Sequence, residues 1–157
     1  MNQDLAFPVV GIGASAGGIE ALEGLFGGVP ARPGMAFVVV THLSPHHESA
    51  LPDILARFTG LRVEPAVDGL RLLADTVYVI PPGVVLGLEG GRLVHRQTPA
   101  HQERKPVDVF FSELARECGE QAAGVILSGG DADGTLGLKA IKEAGGLALA
   151  QVDDVFG

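Results

Sequence analysis

Short unbroken apolar runs alternate along the chain with stretches in which apolar positions recur at helical spacing, and glycine marks most of the junctions. Val9-Val10-Gly11-Ile12, Phe37–Val40, Val77–Ile80, Val125-Ile126-Leu127 and Leu147–Ala150 are runs of strand length. Apolar residues on both faces of a strand are expected in a parallel sheet covered on both sides. After the first run, Ile19, Leu22 and Phe26 share one helical face, with Glu20 and Glu23 early and Gly27-Gly28 and Pro30 as the stop. A second helix is predicted over Glu48–Phe58, with Leu51, Leu55 and Phe58 inward and Pro52 in its first turns. A third starts at Pro106, a favourable first-turn residue, and buries Phe110, Phe111 and Leu114. A fourth covers Leu136–Ala144. One segment breaks the rhythm: Val84–Leu88 and Leu93–Arg96 flank Glu89-Gly90-Gly91-Arg92, the signature of an antiparallel hairpin. The pattern predicts an α/β fold, a doubly wound, mostly parallel sheet with helices on both faces and one antiparallel hairpin. No linker, repeat or low-complexity segment interrupts residues 1–157, so a single domain is expected. The last run, Leu147–Ala150, is followed by Gln151–Gly157, with Val152, Val155 and Phe156 as its apolar residues. That predicts an incompletely covered apolar face there, which would self-associate or be covered by a longer chain.

Composition narrows the function classes. With 46% apolar and 19% charged residues, the 157-residue chain is not a disordered one. Eleven basic against 19 acidic residues leave a formal net charge of −8, which argues against nucleic acid or an anionic membrane as partner. The single cysteine, Cys118, excludes an internal disulfide and a cysteine zinc site, and its place in an amphipathic helix reads as packing. No apolar run approaches the roughly 20 residues of a membrane span. Met1-Asn2-Gln3-Asp4 lacks the basic flank of a signal peptide, so a cytoplasmic protein without membrane insertion is expected.

In a doubly wound sheet, ligands sit beyond the carboxyl ends of the strands. Three loops therefore carry the candidate chemistry. Gly11-Ile12-Gly13-Ala14-Ser15-Ala16 fits the dinucleotide fingerprint, and Gly13-Ala14-Ser15-Ala16-Gly17 equally fits a serine nucleophile on a sharp turn. The second loop weighs between them. A dinucleotide site wants an acidic residue after the second strand to hold ribose hydroxyls, whereas here stands Thr41-His42. A histidine beside a serine supplies the base that a hydroxyl needs to become a nucleophile. The third loop, Ser128-Gly129-Gly130-Asp131-Ala132-Asp133-Gly134, offers a carboxylate to orient the imidazole. The chain order Ser, His, Asp differs from the α/β-hydrolase order.

These motifs, in this order, resemble the catalytic domain of chemotaxis-type protein-glutamate methylesterases. Val10–Gly18 is similar to the family's nucleophile segment and Thr41-His42-Leu43 to its histidine segment. Val77–Gly83 and Pro106–Phe111 are similar to two further blocks, and Leu127–Gly134 to a block ending Asp-Gly. The resemblance implies Ser15 as nucleophile, His42 as general base and then acid, and Asp133 as orienting carboxylate, with Asp131 in reserve because the family more often has Gly there. It implies hydrolysis of γ-glutamyl methyl esters on chemoreceptor-like proteins, with release of methanol and a related glutamine deamidation. No metal and no organic cofactor is implied. The amides of Ala16 and Gly130 are the expected donors to the tetrahedral oxyanion. Ala16 stands where many relatives have Thr, and Gly130 where Met is frequent. A domain without the family's last helix and without a receiver domain is expected; the N-terminal start and the Pro106-Val107-Asp108 block resemble esterase–methyltransferase hybrids, so a fused or separate receptor methyltransferase and receiver domain are expected partners.

Plainer readings stand beside these. Ser15 could cap the following helix, and His42 could be a packed strand-end histidine. His42, His46, His47 and Glu48 form a weak metal pattern, since Pro45 interrupts them and the adjacent pair cannot share a face. Asp131-Ala132-Asp133-Gly134 lacks the spacing of a calcium loop. Asp108 reads as a dipole-favoured surface charge, and the resemblance of its block to the family implies a structural role. Arg32, Arg57, Arg104 and Lys105 read as solvated residues, or as charges that steer an acidic partner towards the cleft. Two alternatives to the esterase stay open: a catalytically silent signalling or docking domain of the same fold, and a dinucleotide-binding module.

Overall fold

A computed structural model describes residues 6–15, 18–41, 45–97, 105–127 and 133–151, with the backbone alone at 45–49. Six strands form one sheet: β1 (Val9–Ala14), β2 (Ala36–Thr41), β3 (Arg62–Pro65), β4 (Thr76–Val79), β7 (Ala122–Leu127) and β8 (Leu147–Ala150). Their order is β3-β4-β2-β1-β7-β8, and every pairing is parallel. β1 lies inside the sheet, and the chain winds from it first towards β2 and later returns on its other side as β7. That reversal of strand order marks the crevice where such sheets hold ligands.

Helices cover both faces. α1 (Ile19–Gly27) and α2 (Pro45–Ala56) lie on one side, where Leu22, Phe26, Leu51 and Leu55 bury against Ile12, Phe37 and Val39. Phe58, predicted to point inward from α2, follows the helix end and is half-buried. α3 (Pro106–Cys118) and α4 (Thr135–Glu143) lie on the other side, where Phe110, Phe111 and Leu114 are fully buried. Each such burial contributes on the order of 1.5–3 kcal/mol.

The hairpin exists but stands apart from the main sheet. β5 (Val85–Glu89) and β6 (Arg92–Arg96) form their own antiparallel pair around Gly90 and Gly91. Both glycines have positive φ, 57° and 78°, as the favoured two-residue hairpin turn requires. α3 holds the pair in place. Glu113 accepts the Leu88 amide at 2.9 Å and takes Arg96 through both of its oxygens, while Glu117 accepts the Gly90 amide at 3.0 Å.

Two features depart from the hydropathy pattern. β3, Arg-Val-Glu-Pro, carries no apolar run, because it is an edge strand with one paired side; Pro65 and the Arg62–Glu64 ion pair at 2.6 Å suit that place. β8 has an open face as expected. Leu147 and Leu149 are 58% and 50% exposed, and in register they continue the face of Ala123 and Val125. Val152, Val155 and Phe156, predicted to shield it, lie outside the described residues.

Candidate active site

The three candidate loops leave the sheet at one level. Ala14 pairs with Thr41 on one side and with Leu127 on the other, so β1, β2 and β7 end side by side. Ser15 is the first residue beyond β1 and is half-buried. His42 follows Thr41 in the chain and lies outside the described residues, as do Ala16, Gly130 and Asp131. The carbonyl of Ser15 accepts the Gly18 amide at 2.8 Å, closing a tight turn into α1. α1 is capped at Gly18 with no side-chain cap bond, so Ser15 is not its N-cap. A Cβ on Gly18 would sit 2.8 Å from Cβ of Ala14; glycine lets the turn fold back on the strand it has just left.

The glycines of the fingerprint serve packing. A Cβ on Gly11 would meet Phe111 at 2.7 Å, and one on Gly13 would meet Val107 at 2.8 Å and Ile126 at 2.9 Å. Both residues face α3. Gly124 on β7 and Gly137 on α4 are likewise closed off by Phe111, at 3.0 Å and 2.5 Å. The first-loop pattern that suggested a phosphate cradle is therefore the seat of α3 on the sheet. That seat brings the amino end of α3 to the exit of β7.

Asp133 meets it there. Asp133 is 6% exposed, and among the described residues it is the one buried carboxylate. Burying a carboxylate costs several kcal/mol unless donors replace its water. Pro106 occupies the first position of α3 and has no N–H, which leaves Val107 and Asp108 as the next unpaired donors. Both bond Asp133: the Val107 amide donates to Oδ2 at 2.9 Å and the Asp108 amide to Oδ1 at 2.8 Å. The positive end of the helix favours a negative charge at that point. A carboxylate offers about four acceptor sites, so these two bonds leave capacity to orient an imidazole.

Asp108 answers in kind: it has the expected structural role, but as a half-buried acceptor for another helix and not as a surface charge on its own. Its Oδ1 accepts the Gly134 amide at 2.9 Å and the Gly137 amide at 2.8 Å, both at the amino end of α4. The helices exchange caps: Asp133, just before α4, caps α3, and Asp108, within α3, caps α4. Gly134 between them has φ 117°, and a Cβ there would lie 2.6 Å from Ile126. Only glycine fits, which explains the Asp-Gly pair.

Elsewhere, burial pushes the Cys118 thiol up to about 11, with Glu117 adding to the shift, consistent with packing rather than reactivity. Among the described residues no group of three His, Cys, Asp or Glu side chains could hold a metal ion, and no helix is long and apolar enough to cross a membrane. The sequence pattern of the CheB methylesterase family matches residues 10–155. The chain belongs to that family. It is 37% identical over 149 residues to protein-glutamate methylesterase/protein-glutamine glutaminase 2 of Pseudomonas aeruginosa, covering 91% of this chain and 42% of that protein. With protein-glutamate methylesterase/protein-glutamine glutaminase 1 of Carboxydothermus hydrogenoformans it shares 36% over 154 residues, covering 93% and 45%. It is also 40% identical over 101 residues to an uncharacterized 104.1 kDa protein of Rhodobacter capsulatus, covering 64% of this chain and 11% of that one. The chain thus spans less than half the length of these relatives. The crystal structure of the Thermotoga maritima CheB methylesterase catalytic domain superposes with a TM-score of 0.85 at 28% identity, over 92% of this chain and 79% of that one. The doubly wound architecture is that of a CheB catalytic domain.

Within this CheB fold, Asp108 is the site-linked residue that the residue pattern undervalued. A signal for it exists in the sequence. α3 starts after Lys105 and α4 after Gly134, neither of which has a side chain that caps its helix. Two helices without local caps need acceptors from elsewhere.

Proposed function

We propose that this domain is the catalytic part of a protein-glutamate methylesterase, a serine esterase that hydrolyses γ-glutamyl methyl esters on methylated chemoreceptors in the cytoplasm. Ser15 attacks the ester carbonyl while His42 takes its proton, and Asp133 holds the imidazole. The resulting oxyanion is held by backbone amides, with those of Ala16 and Gly130 as the assigned donors. Collapse expels methanol, protonated by His42. Water, activated by the same histidine, then releases the receptor glutamate as a carboxylate and restores Ser15. A glutamine side chain entering the same site loses its amide nitrogen as ammonia, protonated by His42, and water then frees the resulting glutamate from Ser15, which makes deamidation the related reaction. The single observation that supports this reading is the buried carboxylate of Asp133, bonded to the amide of Val107, whose side chain packs over Gly13 two residues before Ser15. Burying a carboxyl group is costly, and functional sites are where proteins retain one. Relatives more than twice as long as this chain support a parent protein with further domains, for which a receiver domain and a receptor methyltransferase, fused or separate, are the proposed partners.

The test is covalent labelling with a fluorophosphonate together with methanol release from methylated receptor. The parent chain should label at one site and Ser15→Ala should not, while both melt alike. Loss of a triad nucleophile costs on the order of 10⁶ in turnover. Labelling that survives Ser15→Ala places the nucleophile elsewhere. A parent chain that neither labels nor releases methanol supports the silent-domain alternative.

A further inference from the structure

Each oxygen of Asp133 is held by an amide of α3, and the amide next to Asp133 in the chain is held by Asp108. We propose that Asp108 is a positioning residue of the active site, which sets the plane and place of the Asp133 carboxylate through its own amide on Oδ1 and through its side-chain bonds to the amides of Gly134 and Gly137. The proposal rests on the reading of Asp133 as the orienting carboxylate.

The terminal torsion of an aspartate is soft, so a carboxylate's plane is set by its hydrogen-bond donors rather than by a rotamer well. For Asp133 the described donors are two successive amides of one helix turn, which fix both oxygens at once. Those amides hold Asp133 only if α3 stays where it is relative to the turn before α4. Asp108 ties the two together: its own N–H donates to Asp133 Oδ1, and its Oδ1 accepts from Gly134 and Gly137. The ring of bonds runs from Asp133 through the Asp108 backbone and side chain to Gly134, the next residue in the chain. Gly134 cannot support the geometry by itself, since its φ of 117° is a conformation that glycine adopts without any side chain to hold it. α3 and α4 also pack tightly here: a Cβ on Gly137 would stand 2.5 Å from Phe111 Cβ and 3.2 Å from Cα of Asp108. A shift of one side chain at this joint therefore reaches the carboxylate directly, and misplacement of a catalytic group by about 1 Å can cost 10²-fold in rate.

Two substitutions separate geometry from charge. Asp108→Asn keeps an oxygen acceptor at the same distance from the backbone but removes the charge. Asp108→Glu keeps the charge and moves the acceptor by one methylene. In fluorophosphonate labelling of the full chain, Asp108→Asn should keep its maximal rate within about 3-fold of the parent. Asp108→Glu should lose about 10–100-fold, with the half-saturating probe concentration unchanged within about 2-fold. Repeated in an Asp133→Asn background, Asp108→Glu should have less than about a 2-fold effect, because residues that act as a unit are not additive. Equal losses in both backgrounds would reduce Asp108 to a purely structural cap. A fast Asp108→Glu beside a slow Asp108→Asn would assign its effect to charge, and either result overturns the proposal. If Asp133→Asn alone labels at the parent rate while Ser15→Ala abolishes labelling, it is the role of Asp133 that fails, and the two failures are told apart.

Discussion

Gly13→Ala tests whether the glycines of the first loop seat a helix or cradle a phosphate. Gly13 lies within β1, with backbone that alanine can adopt, so any penalty comes from the added methyl group. That methyl would stand 2.8 Å from Val107 Cγ1 and 2.9 Å from Ile126 Cδ1, closer than carbon atoms tolerate; Val107 is buried in the core and Ile126 packs half-buried against it. Overpacking of this kind costs typically about 1–3 kcal/mol, and the gain from a stiffer unfolded chain returns about 0.4–1. A net loss of roughly 1–2 kcal/mol corresponds to a fall in Tm of about 2–8 °C for a domain of this size. Relief must come from movement of α3, and Val107 is the residue whose amide holds Asp133 Oδ2. Fluorophosphonate labelling should therefore slow along with the loss of stability. Two controls frame the result. Gly11→Ala meets Phe111 at 2.7 Å, further from the strand exit, and should destabilise with less effect on labelling. Gly24→Ala, exposed in α1 with nothing within 4 Å, should stabilise by about 0.5–1 kcal/mol. Thermal melts and labelling rates on the four proteins decide the matter. A Gly13→Ala chain that melts at or above the parent temperature and labels at the parent rate would refute the packing account.

Asp133→Asn should slow hydrolysis by about 10⁴, the scale of an Asp-to-Asn change in a triad, while Asp131→Asn should do much less; methanol release measured on both variants would reverse the assignment if the order came out the other way. Cys118, with its thiol at about 11, has at pH 8 only about one thiolate in a thousand. Its alkylation by iodoacetamide should be slow there and rise about tenfold per pH unit towards 11, because the charged form is the one disfavoured by burial; a rate that levels off near pH 9 contradicts the shift.

Much of this protein is written locally. The apolar runs at Val9–Ile12, Phe37–Val40 and Val125–Leu127 are strands because a parallel strand buried on both faces has no polar positions to spare. Gly90-Gly91 is a hairpin turn because both residues need positive φ. The absence of a carboxylate after β2 already weighed against a dinucleotide site, whereas the choice of Asp133 over Asp131 came from the family resemblance of Leu127–Gly134 and not from the loop itself. Edge strand β3 was not legible, since one-sided pairing relaxes the demand for apolar residues. Nor was the hairpin's separation from the main sheet, which depends on Glu113 and Glu117 reaching it from α3. The meaning of Gly11 and Gly13 was likewise hidden: a motif read along the chain cannot tell which side of a strand lacks its Cβ, and only the position of Phe111 and Val107 decides it. Asp108 is the sharpest case. From its place in the third position of a helix it reads as a charge favoured by its own dipole, yet its oxygen serves amides 26 and 29 residues away. Helix periodicity and capping preference act within a few residues and can be read from order alone, whereas a cap exchanged between two helices exists only once packing has brought their ends together.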